Sequence, residues 1–279
     1  MSPVGGNDIL VEARAALLDA LDALAAQSEA VIVIGAQAVY LRTGAADVAL
    51  AEATKDSDLA LDPRLLHDDP LLEGAMFSAG FLPNISDQPG AWMSPRGIPV
   101  DLMVPEDLAG PGARGARGAR IPPHGRRATR RAVGLEAAIV DNSFMDISAL
   151  DPADLRVCRA RVAGPAALLV AKLHKIGERA AVPSRLVDKD AHDVYRILRA
   201  IPTAQLAEAL CALVKHPISR AVTVRATGHL DSLFADGPQA TGSIMAGRAE
   251  EGIGDPEQVA RAVSILASDA LASIRDDLP

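Results

Sequence analysis

Aromatic residues are scarce: they make up 3% of the 279 residues, although 49% of the chain is hydrophobic. A core of this composition has to be built from Ala, Leu and Val. Cysteine is nearly absent. Cys158 and Cys211 are the only two, with neither a CxxC pair nor metal-ligand spacing, which argues against a structural zinc site or a disulfide framework and predicts two buried thiols. Long apolar runs are missing as well, since none approaches the ~20 residues of a membrane-spanning helix. The opening MSPVGGNDIL has no basic region followed by an apolar core. Together these absences predict a soluble, cytoplasmic protein with no membrane partner.

Acidic residues are missing from one stretch. Between residues 112 and 131 there are seven Arg (114, 117, 120, 126, 127, 130, 131) and no Asp or Glu, so the rest of the chain carries 21 basic against 36 acidic residues. The overall charge of −8 therefore does not exclude a nucleic-acid partner. The Gly-Ala-Arg repeats and Pro-Pro pair predict a mobile surface loop over 111–131. Arg114, Arg117, Arg120, Arg126 and Arg127 are its candidate RNA-backbone contacts, giving salt-dependent affinity without sequence choice. A solvated low-complexity insertion is the alternative. Because the loop itself contains no aromatic residue, base stacking is not its expected mode.

The stretch from Val31 to Asp62 carries the strongest chemical signal. Val31–Ile34 is a short β-branched strand, and Gly35 turns the chain into an amphipathic helix beginning AQAVYL. Free backbone N–H groups at such a helix start form an anion site, which makes Gly35 and Ala36 phosphate-cradle candidates. After Lys55 the residues alternate, Ser57, Leu59 and Leu61 facing one way and Asp56, Asp58, Ala60 and Asp62 the other. Asp56 and Asp58 then lie side by side and offer hard oxygen ligands to Mg²⁺ or Mn²⁺. Metals held in this way clamp the attacking and leaving oxygens of a phosphoryl displacement.

Elsewhere the periodicity predicts a helix over 8–27, one broken or two short helices over 64–79, and a hairpin of 91–94 with 98–104 that puts Asp101 on a strand. Further strands are expected at 136–140 and 155–162. From Gly164-Pro165 the pattern turns helical, with a Gly-rich break over 236–254, so the fold expected is α+β. A mixed-sheet domain with flanking helices occupies 1–163, and an α-helical domain occupies 164–279. The helix from Pro165 carries Lys172, Lys175 and Arg179 beside its core stripe, and the next, from Asp188, presents Asp190 and Asp193 on one side. A helix–helix salt bridge between the two sets is the bland reading. His192, beside Asp193, is read as an incidental helix residue.

Gly35-Ala36 followed by Asp56-x-Asp58 after Thr54-Lys55 resembles the Gly-Gly or Gly-Ser … Asp-x-Asp motif of the DNA polymerase β-like nucleotidyltransferase superfamily. Within it, the chain is similar to AbiEii-type nucleotidyltransferase toxins of type IV toxin–antitoxin systems, a likeness that continues at AGPAALLVAKLHKIGER and DKDAHDVYRIL. Ala36 departs from the pattern and removes a side-chain phosphate contact. The interval from Ala36 to Asp56 is also long, which predicts an extra turn or loop over 43–53.

The resemblance implies a nucleotidyltransferase-like first domain and transfer of a nucleoside monophosphate from an NTP to an acceptor hydroxyl. It implies that Asp101 completes the metal set and activates that hydroxyl, that Lys172 with Asp190 stabilises developing charge, and that Lys55, Lys175 and Asp193 assist in holding the nucleotide. It further implies an RNA acceptor, a tRNA 3′ end, and a toxin or defence role with a cognate antitoxin as partner. Two rival readings stay open: a small-molecule nucleotidyltransferase acting on a cationic, aminoglycoside-like acceptor, and an inactive NTP- or RNA-binding module.

Overall fold

A computed structural model describes residues 6–44, 56–84, 88–112 and 115–275. The fold is α+β, about 52% helix and 16% strand, with a mixed sheet and flanking helices. The chain divides into two compact units. The first comprises Met1–Ala38, Ala53–Leu135 and Asn142–Ala163; the second comprises Val39–Glu52, Glu136–Asp141 and Gly164–Pro279.

Among the described residues every strand belongs to the first unit: β1 (Val31–Ile34), β2 (Ser57–Leu61), β3 (Leu82–Pro83), β4 (Ala91–Met93), β5 (Pro99–Pro105), β6 (Arg130–Ala132), β7 (Asn142–Ser148) and β8 (Val157–Ala163). They form one sheet in the order β3-β4-β5-β2-β1-β8-β7, with β6 paired to β5. Helix α1 (Gly6–Ala23) packs on β2, β5 and β8, and against α3 (Leu72–Ser78). The apolar alternation sets the faces. Ser57 donates its hydroxyl hydrogen bond to the Ala13 carbonyl of α1 at 2.9 Å, so Leu59 and Leu61, two and four residues on, face the same helix. Leu17, Leu18, Leu59, Leu61 and Leu102 are fully buried; removal of each from water stabilises by roughly 1.5–3 kcal/mol.

Several sequence expectations shift here. The strand expected at 136–140 is helix α4 (Glu136–Val140). Its EAAIV run is short enough to fit either period, its Ala residues favour helix, and the strand lies just beyond it as β7. Over 64–79 only α3 is helical, entered through Leu71 with no side-chain cap. The strand expected from 155 begins at Val157, because Asp154 and Arg156 are tied to each other in the preceding turn.

The second unit is helical: α4, then α5 (Pro165–Ala180), α6 (Asp188–Ala200), α7 (Thr203–Lys215), α8 (Arg220–Leu230), α9 (Thr241–Arg248) and α10 (Pro256–Ile274). It also takes the last turns of α2 (Gly35–Thr43), whose first residues belong to the first unit. Helix α5 packs on α6 and α8, α6 on α9, and α10 on α7 and α9. Helix α9 lies inside the expected Gly-rich break. Gly242 and Gly247 are buried there, and a Cβ at 242 would collide with the Phe234 ring, so these glycines serve close packing. Asp255 caps α10 by accepting from the Glu257 and Gln258 amides at 3.1 Å. Cys158 and Cys211 are both thiols, half-buried rather than fully enclosed. No single helix among the described residues is long and apolar enough to cross a membrane.

Candidate functional site

In the first unit the carboxylates gather by register. Ile34 pairs with Asp58 across antiparallel β1 and β2, Asp58 with Asp101 across parallel β2 and β5, and Asp101 with Ala91 across β4. Residues paired in this way share a sheet face, opposite to that of Ser57, Leu59 and α1. Neighbouring strands lie ~4.8 Å apart, so Asp58 and Asp101 stand side by side. Asp56, just before β2, is exposed and two residues from Asp58 along the same face.

Helix α2 starts against this pair. Gly35 has φ +68°, and a Cβ there would overlap the Asp58 carboxylate. Glycine is thus required twice, for the left-handed backbone and for the close approach. Ala36 is buried, so its methyl group belongs to the packing. Arg14, a buried residue of α1, ties the start of α2 to the sheet: its Nε donates to Gln37 Oε1 and its Nη1 to the Ser148 carbonyl, both at 2.9 Å.

Asp101 has a partner that the sequence pattern did not reveal. Arg130 Nη2 lies 2.6 Å from Asp101 Oδ2, brought there by the parallel pairing of β5 with β6. The signal was present in the Arg130-Arg131-Ala132-Val133 run, but the Gly-Ala-Arg repeat before it masked a short strand. Arg131 is likewise tied down, to Glu106 at 3.1 Å and to the Gly118, Ala109 and Gly110 carbonyls. The stretch expected as a mobile loop therefore ends in a paired strand, with Ala119, Ala128 and Thr129 buried. Arg117, Arg120, Arg126 and Arg127 are exposed. Lys55, Arg114 and most of the connection expected over 43–53 lie outside the described residues.

The second unit holds the other group of candidates. Lys172 Nζ is 3.0 Å from Asp190 Oδ1 and 2.6 Å from Asp193 Oδ2; Lys175 reaches Asp190 Oδ1 at 2.9 Å and Arg179 reaches Asp190 Oδ2 at 3.2 Å. Lys172, Asp190 and Asp193 are all buried. Burial alone would lower the Lys172 pKa, but Asp193 and Asp190 outweigh it and raise it. Burial alone would raise that of Asp190, but Lys172 and Lys175 outweigh it and pull it well below the carboxylate range. The cluster is thus the α5–α6 salt bridge, extended to five residues.

Around it, Arg196 donates to Thr43 Oγ1 and to the Gly44 carbonyl, both at 2.8 Å, and lies 5.4 Å from the Tyr40 ring. Burial, and after it the charge of Asp193, pushes the Tyr40 phenol up to about 12. His192, read from the sequence as an incidental helix residue, is buried and contacts Glu250 Oε1 at 2.9 Å.

Among the described residues no three His, Cys, Asp or Glu side chains converge as a ready metal cluster. The chemistry of the donors nevertheless fits a hard cation: Asp58 and Asp101 are adjacent carboxylates on one face, and Asp56 is exposed beside them. No protein-family model matches the chain, nor does any curated protein or solved structure.

Proposed function

We propose that the chain is a Mg²⁺-dependent nucleotidyltransferase with a nucleotidyltransferase-like sheet domain. The observation that carries this reading is the Asp58–Asp101 register with Asp58 pressed against the glycine that starts α2. It sets paired carboxylates beside a helix N-terminus, an arrangement suited to a metal-bound triphosphate. Asp56, Asp58 and Asp101 would hold Mg²⁺ or Mn²⁺, which when bound supplies neutralising charge to the phosphate oxygens. In the reaction, an acceptor hydroxyl oxygen bonds to the α-phosphorus of the NTP, the α–β bridging bond breaks, and pyrophosphate leaves. Asp101 takes the hydroxyl proton. The backbone at Gly35 and Ala36 cradles phosphate, and Lys55 is the further candidate for holding the nucleotide.

Lys172 and Asp190, which the resemblance would have stabilise developing charge, are assigned to folding instead, since they are buried and bound to each other. The acceptor proposed is an RNA 3′ end, tRNA foremost, and the biological role that of a toxin or defence component restrained by an antitoxin in the cytoplasm. The acceptor test is direct. Purified protein is given Mg²⁺, each α-labelled NTP in turn, and either total tRNA or a panel of aminoglycosides. Label on RNA supports the reading; label on the aminoglycosides alone moves it to a small-molecule acceptor. NTP binding with no product on either leaves a binding module.

A further inference from the structure

Beside the Arg-rich stretch, the first unit contains a pocket of about 340 Å³ whose lining includes Phe77, Pro83, Trp92, Arg126 and Arg127. Ligand pockets span ~300–1,000 Å³, so this one suits a single ring system. Phe77, on α3, is half-exposed and meets the ring of Trp92 edge-on at 5.4 Å. Phe77 is thereby held against Trp92 while half of its surface stays open at the pocket. The loop bearing the two arginines is pinned to the same wall. Glu73 accepts from the Gly125 amide at 3.0 Å, the Leu72 amide donates to His124 Nδ1 at 3.3 Å, the Trp92 indole donates to the Ala128 carbonyl at 3.0 Å, and the Gly90 amide donates to the Arg127 carbonyl at 2.8 Å. The aromatics that the loop's own sequence lacks are thus supplied by α3 and β4.

We propose that this pocket binds one nucleotide of single-stranded RNA, its base stacked on Phe77 and its phosphates on Arg126 and Arg127. An aromatic face takes any base, and guanidinium groups take phosphate oxygens bidentately. The ring and the backbone that carries the two arginines are anchored before the ligand arrives, which reduces the ordering cost of binding. This inference rests on the RNA-acceptor reading and assigns it an acceptor-holding subsite apart from the carboxylate face. The cationic rim would equally attract an acidic peptide, but the open aromatic ring and small volume favour a planar base.

The test uses the full chain in EDTA, where no transfer occurs, with a fluorescein-labelled ten-nucleotide oligoadenylate read by anisotropy. Binding is expected to quench Trp92, the one tryptophan in the chain. Phe77→Ala is expected to weaken affinity roughly 5- to 150-fold, the range of one stacked base. Phe77→Leu keeps the apolar bulk without the π-face and is expected to weaken it likewise, which covers the case in which the alanine variant fails to fold. Arg126→Ala with Arg127→Ala is expected to reduce the salt slope by roughly 1.4, at ~0.7 per phosphate contact on single strands.

Wild-type affinity in both the folded Phe77 variant and the double arginine variant would overturn the proposal. So would an acidic peptide that binds where RNA does not. Running the label-transfer assay on the same proteins separates the two readings. RNA bound through Phe77 with no monophosphate transferred keeps the pocket and removes the transferase. Transfer to RNA at an unchanged KM in both pocket variants does the reverse.

Discussion

Two groups of charged residues look equally catalytic on paper, and the structure treats them differently. In the first unit, Asp58 and Asp101 share a sheet face because strand register puts them there, with Asp56 exposed beside them and Arg130 bound to Asp101. In the second unit, Lys172, Lys175, Arg179, Asp190 and Asp193 are bound to one another, and three of the five are buried. Folding alone explains the second set, since a buried carboxylate needs its cation. The first set keeps two carboxylates side by side on one sheet face with Arg130 on one of them, and a hard cation on that face is what the proposed reaction would add.

That contrast can be broken by substitution. Asp58→Asn is expected to lower monophosphate transfer by at least ~10²-fold, the scale of losing one electrostatic contact in a reaction centre, while stability changes by less than ~1 kcal/mol or rises. Label transfer and urea denaturation on the same preparation check both halves. Lys172→Met should do the opposite in kind. It strands the buried Asp193 carboxylate, while Asp190 keeps Lys175 and Arg179; this costs about 3–5 kcal/mol, and Lys172→Met combined with Asp193→Asn should recover much of that. A Lys172→Met protein that keeps its urea midpoint yet loses transfer would move Lys172 into the reaction.

Gly35→Ala sits between the two. A left-handed alanine costs about 1–2 kcal/mol, and the added methyl group displaces the Asp58 carboxylate, so both the denaturation midpoint and the transfer rate should fall.

The smallest expected effects are in pH. The Asp190 carboxyl is depressed when folded, so its contribution is complete above the unfolded value of ~3.9 and fades as pH falls below that. Lys172 is raised; its contribution is complete below ~10.4 and fades as pH climbs past it. Tyr40, raised to about 12, adds stability that is complete below ~10 and lost between there and about 12. Stability should therefore hold a plateau across neutral pH and fall at both ends. Lys172→Met should flatten both limbs, the acid one through Asp190 and the alkaline one directly, and Tyr40→Phe the alkaline one. Denaturation midpoints against pH test the limbs, and absorbance titration of the phenol tests Tyr40.

Legibility in the sequence followed the range of the interaction. Period-2 alternation in Ser57–Leu61 and Gly35 at a strand end are local features, so β1, α2, β2 and the facing of Asp58 could be read directly. The β4–β5 hairpin was readable from its Pro95-Arg96-Gly97 turn, and Gly97 has φ +77°. The α5–α6 charge pairing was readable too, because i, i+3 and i, i+4 spacings fix helix faces.

What could not be read depends on distant pairing or on short ambiguous runs. Glu136–Val140 is five residues that fit either period. Arg130 meets Asp101 only because β6 pairs with β5, 29 residues from the acid it binds. Phe77 and Trp92 come together through α3 and β4, neither of which marks the other in sequence.

The most direct test of the central claim is α-labelled NTP transfer to tRNA by Asp58→Asn protein whose urea midpoint matches that of the unsubstituted chain. The account predicts label on RNA with the unsubstituted protein and its loss in the variant. Undiminished label in the variant, or none with either protein while NTP still binds, would contradict it.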